Sequence, residues 1–380
     1  MEITIYPWQT ELWHKLAASG APFGHALLLR GRKGLGKLAF ARFFAKSMLC
    51  ERPSAEGQAC RACSSCHWYE QGSHPDFRLV EPELISARSP TESGDGSGGR
   101  QDEADGRSDP SAEDTGADSS GGKSKQKPSS HIKVEQLRDL ADFINISSHR
   151  NGYKVIVIHP AETMQPSAAN ALLKNLEEPP PRTLFVLVTH HSQHLLPTIR
   201  SRCRQIVMPA PAPAVAIRWL QEHGVEQAET CLASAGFAPL AALEFNDGQY
   251  LEQWHAFIRQ IGSPRKLDII ALAEEMQKSD LPTVVNWLQK WCYDLMCFRT
   301  AGKIRYHLDM LATVKSLASS IEPRSLATYL RSLTKTHQLA NHTLNPRLFL
   351  EEVLFSYVKA LSPAPPREMH VGRGIDSTVF

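Results

Sequence analysis

The sequence lacks any long apolar stretch and any strong imbalance of charge. No run approaches the ~18 consecutive apolar residues of a membrane-spanning helix, so we expect no membrane contact. The opening stretch MEITIYPWQTELWHKL also lacks the basic start and continuous apolar run of a secretory signal, which favours the cytoplasm. Basic residues number 42 and acidic residues 40, and this balance by itself favours neither nucleic acid nor an acidic partner.

The composition is that of a globular protein with one unusual segment. Hydrophobic residues make up 42% and charged residues 22% of the 380 positions, a length that suits two or three domains. Residues 86–130 contain no aromatic residue and no Leu, Ile, Val or Met. Such a segment cannot bury enough apolar surface to offset the entropy of ordering it, so we predict a disordered surface insertion.

Short apolar runs predict a parallel sheet in the first half of the chain. They alternate with helical patterns and lie at 26–30, 76–80, 154–158, 184–188 and 204–208. The stretch PSAANALLKNLEEPPP (166–181) predicts a helix that begins with Ser167 as N-cap and ends before the prolines. After PAPAPA (209–214) only helical patterns follow, with wide apolar faces near 288–298 and 350–361.

The stretch RGRKGLGKLAF (30–40) nearly matches a nucleotide-binding loop. Gly31, Gly34, Gly36 and Lys37 fit the phosphate-binding pattern between a strand and a helix, where backbone N–H groups and a lysine hold phosphate oxygens. Leu38 replaces the Ser or Thr that would hold Mg²⁺.

A second metal contact is missing from the strand at 154–158. An acidic residue should follow it, but His159 and Pro160 stand there, and Glu162 comes too late to polarise water. Because phosphoryl transfer depends on positioned charge, we predict a relic loop that hydrolyses no ATP, with or without residual nucleotide or anion binding.

Half of the eight cysteines fall within a short interval. Cys50, Cys60, Cys63 and Cys66 have spacers that let four thiolates close a tetrahedral Zn²⁺ site, with no position left open for catalysis. The stretch CSSCH (63–67) also matches a haem-attachment pattern, but that chemistry requires export and would leave two cysteines unexplained. We therefore predict structural zinc.

The stretch SAANALLKNLEEPP, followed by LLPTIRSRC, resembles the clamp-loader branch of the AAA+ family. The loop, the four cysteines and LNPRLFLEEVLF (344–355) fit the same branch. The resemblance implies that Arg202, within Ser201-Arg202-Cys203, is an arginine finger that reaches the γ-phosphate of ATP bound by a neighbouring subunit. Arginine suits this role because it stays charged and offers planar donors.

The resemblance also implies a domain organisation. It predicts an AAA+ core over 1–208 containing the zinc module (50–66) and the insertion (86–130). A helical lid over 209–250, a helical collar over 251–365 and a flexible tail over 366–380 would follow. The collar would hold subunits in a ring, which would account for the wide apolar helix faces.

The function implied is that of a subunit that hydrolyses no ATP within a bacterial clamp loader. Its partners would be motor subunits of the gamma/tau type, a delta subunit, the sliding clamp and primer-template DNA. ATP would bind at the neighbour's site only. Two alternatives stay open: the ATP-hydrolysing motor subunit itself, and a zinc-dependent nucleic-acid-binding module.

Overall fold

The computed structural model describes residues 4–18, 24–87, 128–146, 148–149, 152–246, 248–340 and 345–362. It divides into two compact units, Met1–Pro209 and Ala210–Phe380. Most of the predicted insertion and the whole predicted tail lie outside the described residues. The ends of the insertion are described, and there Leu84 donates its backbone N–H to the carbonyl of Ser129. The division between lid and collar stays a prediction.

The first unit contains a five-stranded parallel sheet, as the apolar runs predict. The strands are β1 (Ala26–Arg30), β2 (Phe77–Val80), β3 (Lys154–Ile158), β4 (Thr183–Thr189) and β5 (Arg204–Val207). The order across the sheet is β2-β3-β4-β1-β5. Its described helices are α1 (Thr10–Ala18), α2 (Lys37–Leu49), α3 (Ser64–Glu70), α4 (Glu83–Ser86), α5 (Val134–Asn145), α6 (Pro166–Glu177) and α7 (Pro197–Arg202).

Both faces of this sheet are covered by helices. Successive side chains of a strand point to opposite faces, so Leu27 joins a core with α1 and α2, whereas Leu28 joins a core with α5 and α6. Every residue of β3 and β4 is buried. This double burial explains why the strands read as unbroken apolar runs rather than as alternating patterns.

Helix α6 begins earlier than the sequence indicates. It starts at Pro166 with Gln165 as its N-cap, so the prediction of Ser167 as N-cap is wrong. Proline fits the first helical position because its φ is already helical and it has no N–H to leave unsatisfied. The helix ends at Glu177, with Glu178 as its C-cap just before the prolines, so it ends before them as predicted.

The second unit is helical throughout its described residues. Its helices are α8 (Pro213–Glu222), α9 (Ala228–Ser234), α10 (Pro239–Glu244), α11 (Gly248–Ile261), α12 (Ile269–Met276), α13 (Leu281–Ala301), α14 (Leu311–Ser320), α15 (Pro323–Leu339) and α16 (Pro346–Leu361). The apolar faces of α13 and α16 pack into one core with each other and with α11, α12, α14 and α15. The expectation that ring contacts account for these faces is therefore wrong, because they are buried within the unit.

Candidate functional site

The phosphate-type loop lies between β1 and α2, at the carboxyl edge of the sheet. Gly34 and Gly36 both have positive φ, +82° and +78°, in the left-handed region that favours glycine. A Cβ on Gly36 would lie 2.5 Å from the ring of Tyr6, so close approach also requires glycine there. The loop thus has the strand-loop-helix context that phosphate binding needs.

Two side chains of the amino-terminal segment donate hydrogen bonds to carbonyls of this loop. Trp8 donates its indole N–H to the carbonyl of Leu35 at 3.1 Å. The amide of Gln9 donates to the carbonyls of Leu35 and Gly36 at 2.9 and 3.0 Å. Gln9 is fully buried, so these bonds are shielded from water. The loop is therefore braced by protein groups.

The amine of Lys37 forms hydrogen bonds with carbonyls of its own loop. The Nζ atom donates to the carbonyls of Gly31 and Arg32 at 2.6 and 2.5 Å, and the side chain is buried. Burial lowers the pKa of Lys37 to about 8, although the nearby carboxylate of Glu162 acts in the opposite direction. In this geometry the amine is held by two carbonyls of its own loop.

The positions at which a phosphate loop site would bind its metal ion are filled by residues of other types. Leu38, in the first turn of α2, packs against the apolar core between this helix and the sheet. His159 follows β3, and its Nδ1 lies 2.7 Å from a carboxylate oxygen of the buried Glu81. Glu162 accepts the backbone N–H of His190 at 2.9 Å. These residues provide neither the hydroxyl nor the strand-end aspartate that a metal-dependent nucleotide site uses.

His190 lies on the same edge, directly after β4. Burial, together with the nearby charge of Lys37, lowers the pKa of His190 to about 3, so its ring is neutral at physiological pH. Among the described residues, its Nδ1 and one oxygen of Glu162 are buried without a hydrogen-bond partner. The carboxyl edge of the sheet therefore carries buried polar groups at the ends of both β3 and β4.

Arg202 is the last residue of α7. Its guanidinium lies 2.6 Å from a carboxylate oxygen of Glu177 and donates to the carbonyl of Thr198 at 3.0 Å. Ser201 donates its hydroxyl to the same Thr198 carbonyl, and Cys203 is buried in the core beneath the sheet. Burial raises the pKa of the Cys203 thiol to about 12, so it stays protonated. Only Arg202 of these three presents a charge at the surface.

The four clustered cysteines come together in one place. Their Sγ atoms all lie within 4.8 Å of one another, and those of Cys50 and Cys63 are 3.9 Å apart. A tetrahedral site with metal–sulfur bonds of about 2.3 Å has sulfur–sulfur edges of about 3.8 Å. The donor set and its spacing therefore fit a metal ion held by four thiolates.

Backbone groups around the cysteines prepare this site for negative charge. The N–H of Cys60 donates to the sulfur of Cys50 at 3.2 Å, and that of Cys66 donates to Cys63 at 3.4 Å. The backbone N–H of Ala62 lowers the pKa of the Cys60 thiol to about 6, whereas burial raises the pKa of Cys66. Ionising all four thiols in so small a space costs free energy, because the thiolates repel one another. A bound cation would offset that repulsion.

The predicted residues form three separate groups. The loop glycines and Lys37 lie together, the four cysteines form a second group and Arg202 belongs to a third. Within the described parts of the chain, the hydrogen bond and ion pair of the Arg202 guanidinium go to Thr198 and Glu177 and not to the loop. Sequence reasoning missed Trp8, Gln9 and Glu177, because no motif marks a side chain that acts by supporting another.

Two family models match the chain. One is described as DNA polymerase III, delta subunit, and matches residues 8–212; the other, for the C terminus of the same description, matches residues 248–358. No helix in the described ranges is long and apolar enough to cross a membrane.

Curated relatives align over most of the chain. DNA polymerase III subunit delta' of Pseudomonas aeruginosa is 32% identical over 377 residues, covering 94% of this chain and 99% of the relative. The Escherichia coli subunit delta' is 26% identical over 367 residues, covering 94% and 96%. DNA polymerase III subunit tau of Bacillus subtilis is 23% identical over 364 residues, covering 87% and 56%.

Proposed function

The chain belongs to the delta' subunit family of the DNA polymerase III clamp loader, and from this premise we propose that it hydrolyses no ATP itself and completes a neighbour's ATP site. Arg202 would reach the γ-phosphate of ATP bound by a motor subunit of the gamma/tau type. The assembly, which would also contain a delta subunit, would place the sliding clamp on primed DNA.

The lack of hydrolysis is supported by the carboxyl edge of the sheet. Leu38 and His159 stand where metal contacts belong, and His159 is engaged with Glu81. Lys37 bonds to loop carbonyls. Without a metal to bridge the phosphates and without a strand-end acidic residue to orient water, the transition state for phosphoryl transfer would lack two of its main sources of stabilisation.

The finger role is supported by the charge and position of Arg202. Its side chain is 35% exposed, so its guanidinium is within reach of another protein. The observation that carries the proposal is a partly exposed Arg202 in a chain whose phosphate-type loop has Leu38 in place of the metal-binding hydroxyl. A guanidinium stays charged at every physiological pH and offers several N–H donors to phosphate oxygens.

The cysteine cluster would hold structural Zn²⁺. With four sulfur ligands the ion has no open coordination position, so it would supply folding energy to residues 50–66 and no catalytic chemistry. Contact with DNA, made through the assembly, would involve phosphates and duplex shape, because the sequence contains no base-reading motif.

The test is ATP turnover by the reconstituted loader with Arg202→Ala. Removing an arginine finger costs about 10³ to 10⁵ in rate at the site that it completes. We therefore expect the turnover contributed by that one site to be lost while the ring still assembles. Arg204→Ala, two residues away and exposed, removes the same charge and should leave the rate unchanged.

Two results would reject the proposal. An Arg202→Ala loader with normal turnover would show that this arginine is only a surface charge. Robust DNA-stimulated turnover by the purified chain alone would instead indicate a motor subunit.

A further inference from the structure

The guanidinium of Arg202 already has an anionic partner within its own chain. The distance from Nη2 to Oε1 of Glu177 is 2.6 Å, and Nη1 donates to the carbonyl of Thr198 at 3.0 Å. Both charged side chains are partly exposed, 35% for Arg202 and 49% for Glu177. The residue proposed to reach a neighbour's phosphate is therefore paired with a carboxylate of its own chain.

The position of Glu177 makes this pair more than a chance surface contact. Glu177 is the last residue of α6. A carboxylate is unfavourable at the carboxyl end of a helix, where unsatisfied carbonyls already carry partial negative charge. Arg202, the last residue of α7, supplies a positive charge that compensates both the Glu177 carboxylate and the carbonyls at the end of α6. Each residue thus stabilises the other.

This arrangement cannot persist unchanged when a triphosphate arrives. A guanidinium paired with a carboxylate has little net charge to offer, and the Glu177 carboxylate would repel phosphate oxygens at close range. Because a triphosphate carries several negative charges, it competes with Glu177 for the same donors. The arginine would exchange one anion for the other.

We propose that Glu177 acts as a latch for Arg202. Its carboxylate would hold the Arg202 guanidinium while the neighbouring subunit's site is empty, and would release it when the γ-phosphate of ATP competes for the same donors. Glu177 is then a positioning residue that restrains ATP turnover. This inference rests on the finger role proposed for Arg202. A partly exposed ion pair is weak enough to be displaced, and its loss corresponds to a factor of about two to five.

The test is a steady-state ATPase assay on the reconstituted loader containing the full chain. Glu177→Gln keeps the size of the side chain and removes its charge, so kcat/KM for ATP should rise about two- to five-fold. Glu178→Gln is the matched control. Glu178 is the next residue and is exposed, and its carboxylate makes no hydrogen bond or ion pair with any part of the chain that the structure describes. Its kcat/KM should equal that of the wild type.

A double-mutant cycle separates the latch from a general effect of the substitution. The effect of Glu177→Gln should disappear in the Arg202→Ala background, because two changes that act through one contact do not add. A structural role for Glu177 would leave the same effect in both backgrounds.

The possible outcomes distinguish this inference from the function on which it rests. If Arg202→Ala lowers turnover but Glu177→Gln leaves kcat/KM unchanged or lowers it, the latch is rejected and the finger role stands. If Arg202→Ala changes nothing, both are rejected. A rise of kcat/KM in Glu177→Gln alone, absent with Glu178→Gln and absent without Arg202, supports the latch.

Discussion

Replacing Asp294 with alanine should strongly destabilise the helical second unit. This fully buried carboxylate on α13 accepts the backbone N–H groups of Arg305, Tyr306 and His307 at 2.8 to 2.9 Å. It also lies 2.9 Å from Nδ1 of His307, which is itself fully buried. One side chain thus fixes the connection that follows α13.

The size of the loss in unfolding free energy follows from the N–H groups that Asp294→Ala would leave without an acceptor. A buried N–H left without a partner costs about 1–3 kcal/mol, and a partly exposed one costs less because water reaches it. Of the three N–H groups, that of His307 is fully buried. We therefore expect Asp294→Ala to lower the free energy of unfolding by about 2–4 kcal/mol, and Asp294→Asn, which keeps an acceptor oxygen, by about half of that.

The same site predicts a dependence on pH. Burial by itself would raise the pKa of Asp294, but the bonds from His307 and from the backbone outweigh it, so the pKa is lowered. A carboxyl with a lowered pKa contributes stability above its unfolded value of about 3.9, and this contribution is lost as pH falls through the folded value. Below pH ~4 the wild type should therefore lose stability faster than Asp294→Ala.

Urea unfolding followed by tryptophan fluorescence is a suitable assay. The ring of His307 contacts Trp254 and Trp291, with centroid distances of 5.4 and 5.2 Å, so fluorescence reports on this region. Asp309→Ala is the control, because Asp309 is 40% exposed and lies 3.8 Å from His255. An Asp294→Ala midpoint equal to that of the control would refute the reasoning.

Two further predictions concern the first unit. Cys63→Ser should abolish stoichiometric zinc binding, measured by metal analysis of the reduced protein. It should also lower the melting temperature of the first unit and leave DNA affinity nearly unchanged. Wild-type protein that contains no zinc would reject the site. Gly36→Ala should destabilise the unit more than Gly72→Ala in thermal unfolding. Both glycines have similar positive φ, but only a Cβ at Gly36 meets the Tyr6 ring. Equal losses would show that this ring imposes no constraint.

The sheet could be predicted from sequence because its strands are buried on both faces. Burial on both sides demands continuous apolar residues, and runs such as KVIVI (154–158) have few other interpretations. The glycine loop was also predictable, since positive φ and close backbone approach both restrict the residue type. Four cysteines separated by nine, two and two residues likewise indicated one site, and the structure brings them together.

The supporting contacts could not be predicted in this way. Gln9 bonds to a carbonyl 26 residues away, and Glu177 meets Arg202 only because α6 and α7 lie side by side. Such pairs depend on tertiary packing, which a local pattern does not encode. The apolar faces of α13 and α16 show the converse difficulty. Amphipathicity indicates that a face is covered, but not whether the same chain or another protein covers it.

The attachment of Trp8 and Gln9 to the glycine loop bears on how this subunit would behave during a reaction cycle. In GTPases, switch segments are ordered by contacts with the γ-phosphate and are released when it is cleaved. Here the loop is tied to the amino-terminal segment by hydrogen bonds that involve no ligand. The subunit would then present the same surface at every stage, as a fixed reference against which its neighbour moves.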